Sequence, residues 1–133
     1  MALTDNITAY WKLDESSGNA ADSTGNGNTL SNINTAAYAP AKINNGVDLE
    51  TASDQYMQAA DSAGLSFTNT LTFAGWISFE TLPGSGSFTA IVGKFLDGGN
   101  RSYFWNMENN GGSYQMKFQT YTDGTNSGGS FLL

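Results

Sequence analysis

The chain has 133 residues, a net charge of −7 and an aromatic share of 13% beside a charged share of only 13%, so it is long enough for one domain with a real core and takes its surface polarity from Asn, Ser, Thr and Gly. With only five Lys and Arg residues, scattered along the chain, it lacks the cationic clusters that nucleic acid and anionic membranes require. Cys and His are both absent, which excludes a disulfide framework, a thiolate nucleophile and any Ser-His or metal-His centre.

The N-terminus carries no basic segment followed by an apolar run, and no stretch reaches the roughly 18 apolar residues of a membrane span. Neither a signal peptide nor membrane insertion is predicted.

Residues 7–13 alternate, with Ile7, Ala9, Trp11 and Leu13 on one face and Thr8, Tyr10 and Lys12 on the other, which predicts a first strand. Residues 14–28 are a run of Asp, Ser, Gly and Asn expected to form a long folded loop, in which Gly18, Gly25 and Gly27 allow positive φ. Further strands are predicted over 42–50, over 56–59, and over 70–80 with Leu71, Phe73, Ile77 and Phe79 on one side. Residues 88–95 form a mostly apolar run, expected to be covered on both faces. Strands over 102–108 and 114–121 follow, joined by the hairpin signal Asn109-Asn110-Gly111-Gly112. Asp97-Gly98-Gly99-Asn100 is a second turn signal. The one candidate helix is a single turn over 61–65, and neither an internal repeat nor a domain boundary is visible. Short, evenly spaced strands with Gly-rich turns predict an all-β sandwich or barrel, one domain over residues 1–133.

The loop over 14–28 offers carboxylates, amide oxygens and free carbonyls together, which is what Ca²⁺ needs for its six to eight oxygen ligands. Asp22, Asn26 and Asn28 are the candidate ligands; the same residue types also close loops through Asx-turns. Sugar recognition sets an aromatic face against a pyranose ring and surrounds it with amide and carboxylate groups. Tyr103, Trp105 and Tyr121, near Asn106, Asn109, Asn110 and Asp123, are the candidates for this; aromatics on strands also build cores. Trp11 and Trp76 are expected in the core. Asp48 and Glu50 share a strand face, but no acidic residues alternate further along it, so no acid-base pair is assigned and the chain is read as non-catalytic.

The segment Ala9-Tyr10-Trp11-Lys12-Leu13-Asp14-Glu15-Ser16-Ser17-Gly18 and then Ala21-Asp22-Ser23-Thr24-Gly25-Asn26-Gly27-Asn28 resembles the opening of the laminin-G-like, concanavalin-type jelly-roll family. Leu71-Thr72-Phe73-Ala74-Gly75-Trp76-Ile77 is similar to that family's central strand, and Ile91-Val92-Gly93-Lys94 to the one after it. The resemblance implies a two-sheet antiparallel β-sandwich (jelly roll), a structural calcium ion, and a role in carbohydrate binding or adhesion on a cell surface or virion. It implies a glycan as partner, with a structural or decoration protein of a virus particle as the rival reading. The family's closing strands have no counterpart here, so the sandwich is expected to be incomplete at the C-terminus and open to completion by another chain.

Overall fold

The computed structural model describes residues 6–67, 70–94 and 102–121, together with the backbone of Ser127–Leu132. Among these residues the protein is all-β: eight strands, two single 3-10 turns and no α-helix, hence no helix long and apolar enough to cross a membrane. The strands fall into two compact units, Met1–Leu65 and Ser66–Leu133.

The first unit is built from two short antiparallel ladders. Strand β1 (Leu30–Ile33) pairs with β4 (Tyr56–Ala59), and β2 (Ala37–Pro40) pairs with β3 (Asn45–Asp48). Asn34 and Thr35, both at positive φ, reverse the chain between β1 and β2. The Asn32 side chain then substitutes for a ladder partner: its Oδ1 accepts from Ala36 N at 2.7 Å and its Nδ2 donates to Ala36 O at 2.8 Å. β1 and β2 were not anticipated, because Leu30-Ser31-Asn32-Ile33-Asn34 carries amides where an alternating pattern would carry apolar groups.

Residues 7–13 do not form the predicted strand. Only Trp11 makes a bridge, to Asp22, and Leu13 lies at φ 58°, which no strand tolerates. The backbone N–H of Tyr10 donates to the Asp22 side chain instead of to a neighbouring strand. The predicted strand over 42–50 shortens to β3, since Ala41 N donates to Asn44 O across a turn with Asn44 at φ 53°. The 3-10 turn Ala63–Leu65 stands where the single helical turn was expected.

In the second unit, β5 (Phe88–Lys94), β6 (Tyr103–Asn110), β7 (Ser113–Tyr121) and β8 (Ser127–Leu132) form one antiparallel sheet in that order. The β6–β7 hairpin turns on Gly111 and Gly112, at φ 62° and 99°, the doubly positive geometry that the Gly-Gly signal announces. β5 is an edge strand rather than one covered on both faces, and Phe88 is 60% exposed. Its register shifts between Ala90 and Val92, leaving Ile91 as a bulge. Beyond it, Gly93 lies so close to β6 that a Cβ would stand 2.8 Å from the Phe104 ring and 3.2 Å from Tyr103 O.

Residues 70–80 join no ladder among the described residues, contrary to expectation. Their inside–outside alternation is retained at Leu71, Phe73 and Phe79, which are half-buried, although Ile77 is 43% exposed. Trp76, expected in the core, is 72% exposed, in a segment that pairs with no strand among the described residues. Phe73 is the centre of the unit's core: its ring lies 5.2 Å from Tyr103, 6.4 Å from Trp105 in a stacked arrangement and 6.2 Å from Phe118 edge-on. Removing that ring in Phe73→Ala is expected to lower unfolding free energy by about 3 kcal/mol in urea denaturation, whereas Phe88→Ala, at the exposed edge, should change it by less than about 0.5 kcal/mol.

Candidate functional site

The loop over 14–28 is organised by one carboxylate. Asp22 Oδ1 accepts from Tyr10 N at 3.2 Å, Thr24 N at 3.0 Å and Thr24 Oγ1 at 2.7 Å, while Oδ2 accepts from Asn28 N at 3.0 Å. Partial burial alone would raise its pKa, but the bonds from Thr24, Asn28 and Tyr10 outweigh that and lower it to about 2. Ser23 N donates to Tyr10 O at 2.8 Å, so Tyr10 is held through both of its backbone polar groups.

Asn28, buried, is the second organiser. Its Nδ2 donates to Thr8 O at 3.1 Å, its Oδ1 accepts from Ser62 Oγ at 3.0 Å, and its carbonyl accepts from the half-buried Trp11 Nε1 at 2.6 Å. Asn26 Nδ2 donates to the same Thr8 carbonyl at 3.0 Å. A carbonyl only accepts, so both amides turn nitrogen, not oxygen, toward their meeting point.

The sequence-predicted metal residues Asp22, Asn26 and Asn28 are thus brought together, but as clamps. Their arrangement does not fit a calcium cage: three N–H and O–H donors already occupy Asp22 Oδ1, Asn28 Oδ1 is taken by Ser62, and the converging amide ends are nitrogens.

Beside these clamps lies an open cleft of about 410 Å³ lined by Asn6, Ile7, Tyr10, Ser23, Thr24 and Asn26. Tyr10 is 46% exposed. The lining therefore unites an aromatic residue whose backbone is fixed at both ends with two amides and two hydroxyls, which can donate and accept hydrogen bonds to a polar ligand. Thr24 and Asn26 are held in turn, the first on Asp22 and the second on Thr8. Sequence reading missed this cleft; the available signal was an aromatic residue, Tyr10, on the polar face of the alternating segment.

The residues predicted for sugar binding are dispersed. Tyr103 is 5% exposed beneath Phe67 and Phe73, and burial raises its hydroxyl pKa. Trp105 stacks on Phe73, with its Nε1 buried and unpartnered. Asn106, one residue on, points to the opposite face, 2% exposed, its Oδ1 also unpartnered. Asn109 is a hairpin clamp: Nδ2 donates to Pro83 O at 2.9 Å and Oδ1 accepts from Gly112 N at 2.8 Å. Asn110 is exposed at the end of β6, and Tyr121 is half-buried at the end of β7 with its N–H on Ser102 O. Asp123 and the turn signal at 97–100 lie outside the described residues. Tyr103 and Trp105 both pack against Phe73, and Phe118 lies opposite Trp105 on β7.

Three outcomes follow from this geometry. Asp22→Asn retains one acceptor but puts an amide nitrogen against an N–H donor, and should cost about 1–2 kcal/mol. A carboxyl with its folded pKa depressed stabilises fully above its unfolded value near 4 and loses that contribution as pH falls toward 2. The native protein should therefore lose stability between about pH 4 and pH 2, and Asp22→Asn should show a shallower decline in acid titration followed by circular dichroism. An ion bound in this loop at a hundredfold excess over its dissociation constant would contribute about 2.7 kcal/mol; because the loop is closed by its own donors, any shift of melting temperature on adding a chelator should be the same in Asp22→Asn as in the native chain.

Comparison of the chain with protein-family models, with curated proteins and with solved structures found no match.

Proposed function

We propose that the chain is a non-catalytic carbohydrate-binding or adhesion module of the jelly-roll, laminin-G-like kind, acting outside the cell, on a cell surface or on a virion, and that the Tyr10 cleft receives the sugar. The observation that carries this reading is the composition of the cleft. One exposed aromatic residue stands among Asn6, Asn26, Ser23 and Thr24 in a volume of about 410 Å³, and glycan recognition pairs a ring surface with amide and hydroxyl partners in this way. Affinity benefits from the clamps on Tyr10, Thr24 and Asn26, since groups already fixed lose little freedom when a ligand arrives. No pair of carboxylates lies among the described lining residues, and retention of the sugar, not its conversion, is the activity assigned.

A second reading, a decoration protein that packs against neighbours in a particle, draws on apolar side chains of the second unit that are exposed: Phe88 at 60%, Leu82 at 44% and Ile77 at 43%. The edge strand β5 would suit a chain that completes the sheet.

Binding to an array of neutral and acidic glycans, with Tyr10→Ala beside the native chain, separates the readings. Loss of the ring should weaken binding by about tenfold or more while leaving the melting temperature within about 2 °C of native. A folded native chain that retains no glycan, and that sediments as a higher oligomer, would favour the decoration reading.

A further inference from the structure

From the distribution of charge around the Tyr10 cleft we infer that the site, if it takes glycans as proposed above, selects uncharged sugars and rejects uronates, sulfated sugars and sialic acids. Among the described residues the lining is neutral throughout. An acidic sugar entering among them would shed water from its carboxylate and find no guanidinium or ammonium among the described lining residues to replace it, and an unpaired desolvated charge is costly. Amide and hydroxyl groups, by contrast, can exchange both donors and acceptors with neutral sugar hydroxyls.

The wall behind the lining adds repulsion. The Asp22 carboxylate is bonded directly to two lining residues, 3.2 Å from Tyr10 N and 2.7 Å from Thr24 Oγ1. Those bonds are made to the ionised form, so a fixed negative charge stands one residue behind the cleft surface. The wider field has the same sign. The first unit, Met1–Leu65, carries eight Asp and Glu against two Lys, a net −6 of the chain's −7. The second unit, with four Asp and Glu against three Lys and Arg, is close to neutral. Negative charge is thus concentrated on the unit that bears the cleft. Lys12 and Lys42 are absent from the lining.

The test uses polymers that differ only in charge. β-Glucan, mannan and galactan are each presented in native form and after oxidation of C6 to the carboxylate, so backbone and linkage stay constant. The full chain is titrated against each pair by calorimetry at low and at raised ionic strength. The neutral member of a bound pair should bind at least about fivefold more tightly at low salt, and the difference should shrink as salt screens the field. Equal or tighter binding of the oxidised member would overturn the inference while leaving the glycan reading intact. A preference that salt does not alter would overturn the electrostatic origin argued here. Binding to neither member by a chain of native circular dichroism would remove the glycan reading and the inference with it. Ser23→Lys supplies a cation to the lining at an exposed position, and should raise the affinity for the oxidised polymers about fivefold or more; no gain would count against charge as the deciding factor.

Discussion

The carboxylate of Asp22 is the constraint on which the first unit depends. Four donors from three residues, Tyr10, Thr24 and Asn28, converge on its two oxygens, and hydrogen bonds to a charged acceptor are stronger than those between neutral groups. This carboxylate does what a neighbouring strand would do elsewhere: it satisfies a backbone N–H of the segment over 7–13 that has no ladder to enter. In consequence the polypeptide is free to leave the pleated geometry at Leu13. The same exchange of side chain for backbone recurs at Asn32 on Ala36, and at Asn26 and Asn28 on Thr8. A small polar unit in which Ala20 and Ala36 are the only buried apolar residues among those described relies on such bonds for the specificity that a larger core would otherwise supply, because an unmade bond in a half-buried setting costs more than a made one gains.

The second unit rests on the opposite resource. Phe67, Phe73, Tyr103, Trp105 and Phe118 gather on one face of the β5–β8 sheet, and aromatic burial of this kind contributes both area and preferred ring geometry. These elements were legible in the sequence because a single cause wrote them there. The strands over 102–108 and 114–121 stand out because they flank Asn-Asn-Gly-Gly, which follows from the doubly positive φ that a two-residue turn needs. The segment over 7–13 alternates, yet it is not a strand, since alternation reports which side chains turn inward and not what the backbone bonds to. Residues 70–80 show the same distinction: Leu71, Phe73 and Phe79 turn inward although no described strand lies alongside.

For the candidate site, the residues that the sequence singles out lie together, and the fold decides the relation among them. Asp22, Asn26 and Asn28 are indeed adjacent, as a Gly-rich loop between two elements predicts, but composition cannot tell whether an oxygen will face an ion or an N–H. That depends on which donors the fold delivers, and the donors come from Tyr10, at a separation of 12 residues, and Ser62, at 34 from Asn28. Likewise Tyr103 and Trp105 carry the residue types of a sugar platform, but Phe73 covers them, and nothing local to 102–108 announces that cover. Tyr10 was passed over because it fell on the solvent face of an expected strand, where its exposure needed no explanation.

That position also explains why a cleft forms where it does. A strand in a continuous ladder presents a flat row of side chains, with little concavity for a ligand. Where the ladder is replaced by side-chain clamps, the chain can curve, and the groups that clamp it are polar and remain near the surface. Asn26 and Thr24 each hold the loop with one atom and line the cleft as well. The bonds that stabilise the loop therefore also fix the ligand-facing groups, so in this unit local stability and preorganisation of the cleft come from the same few side chains and should be lost together.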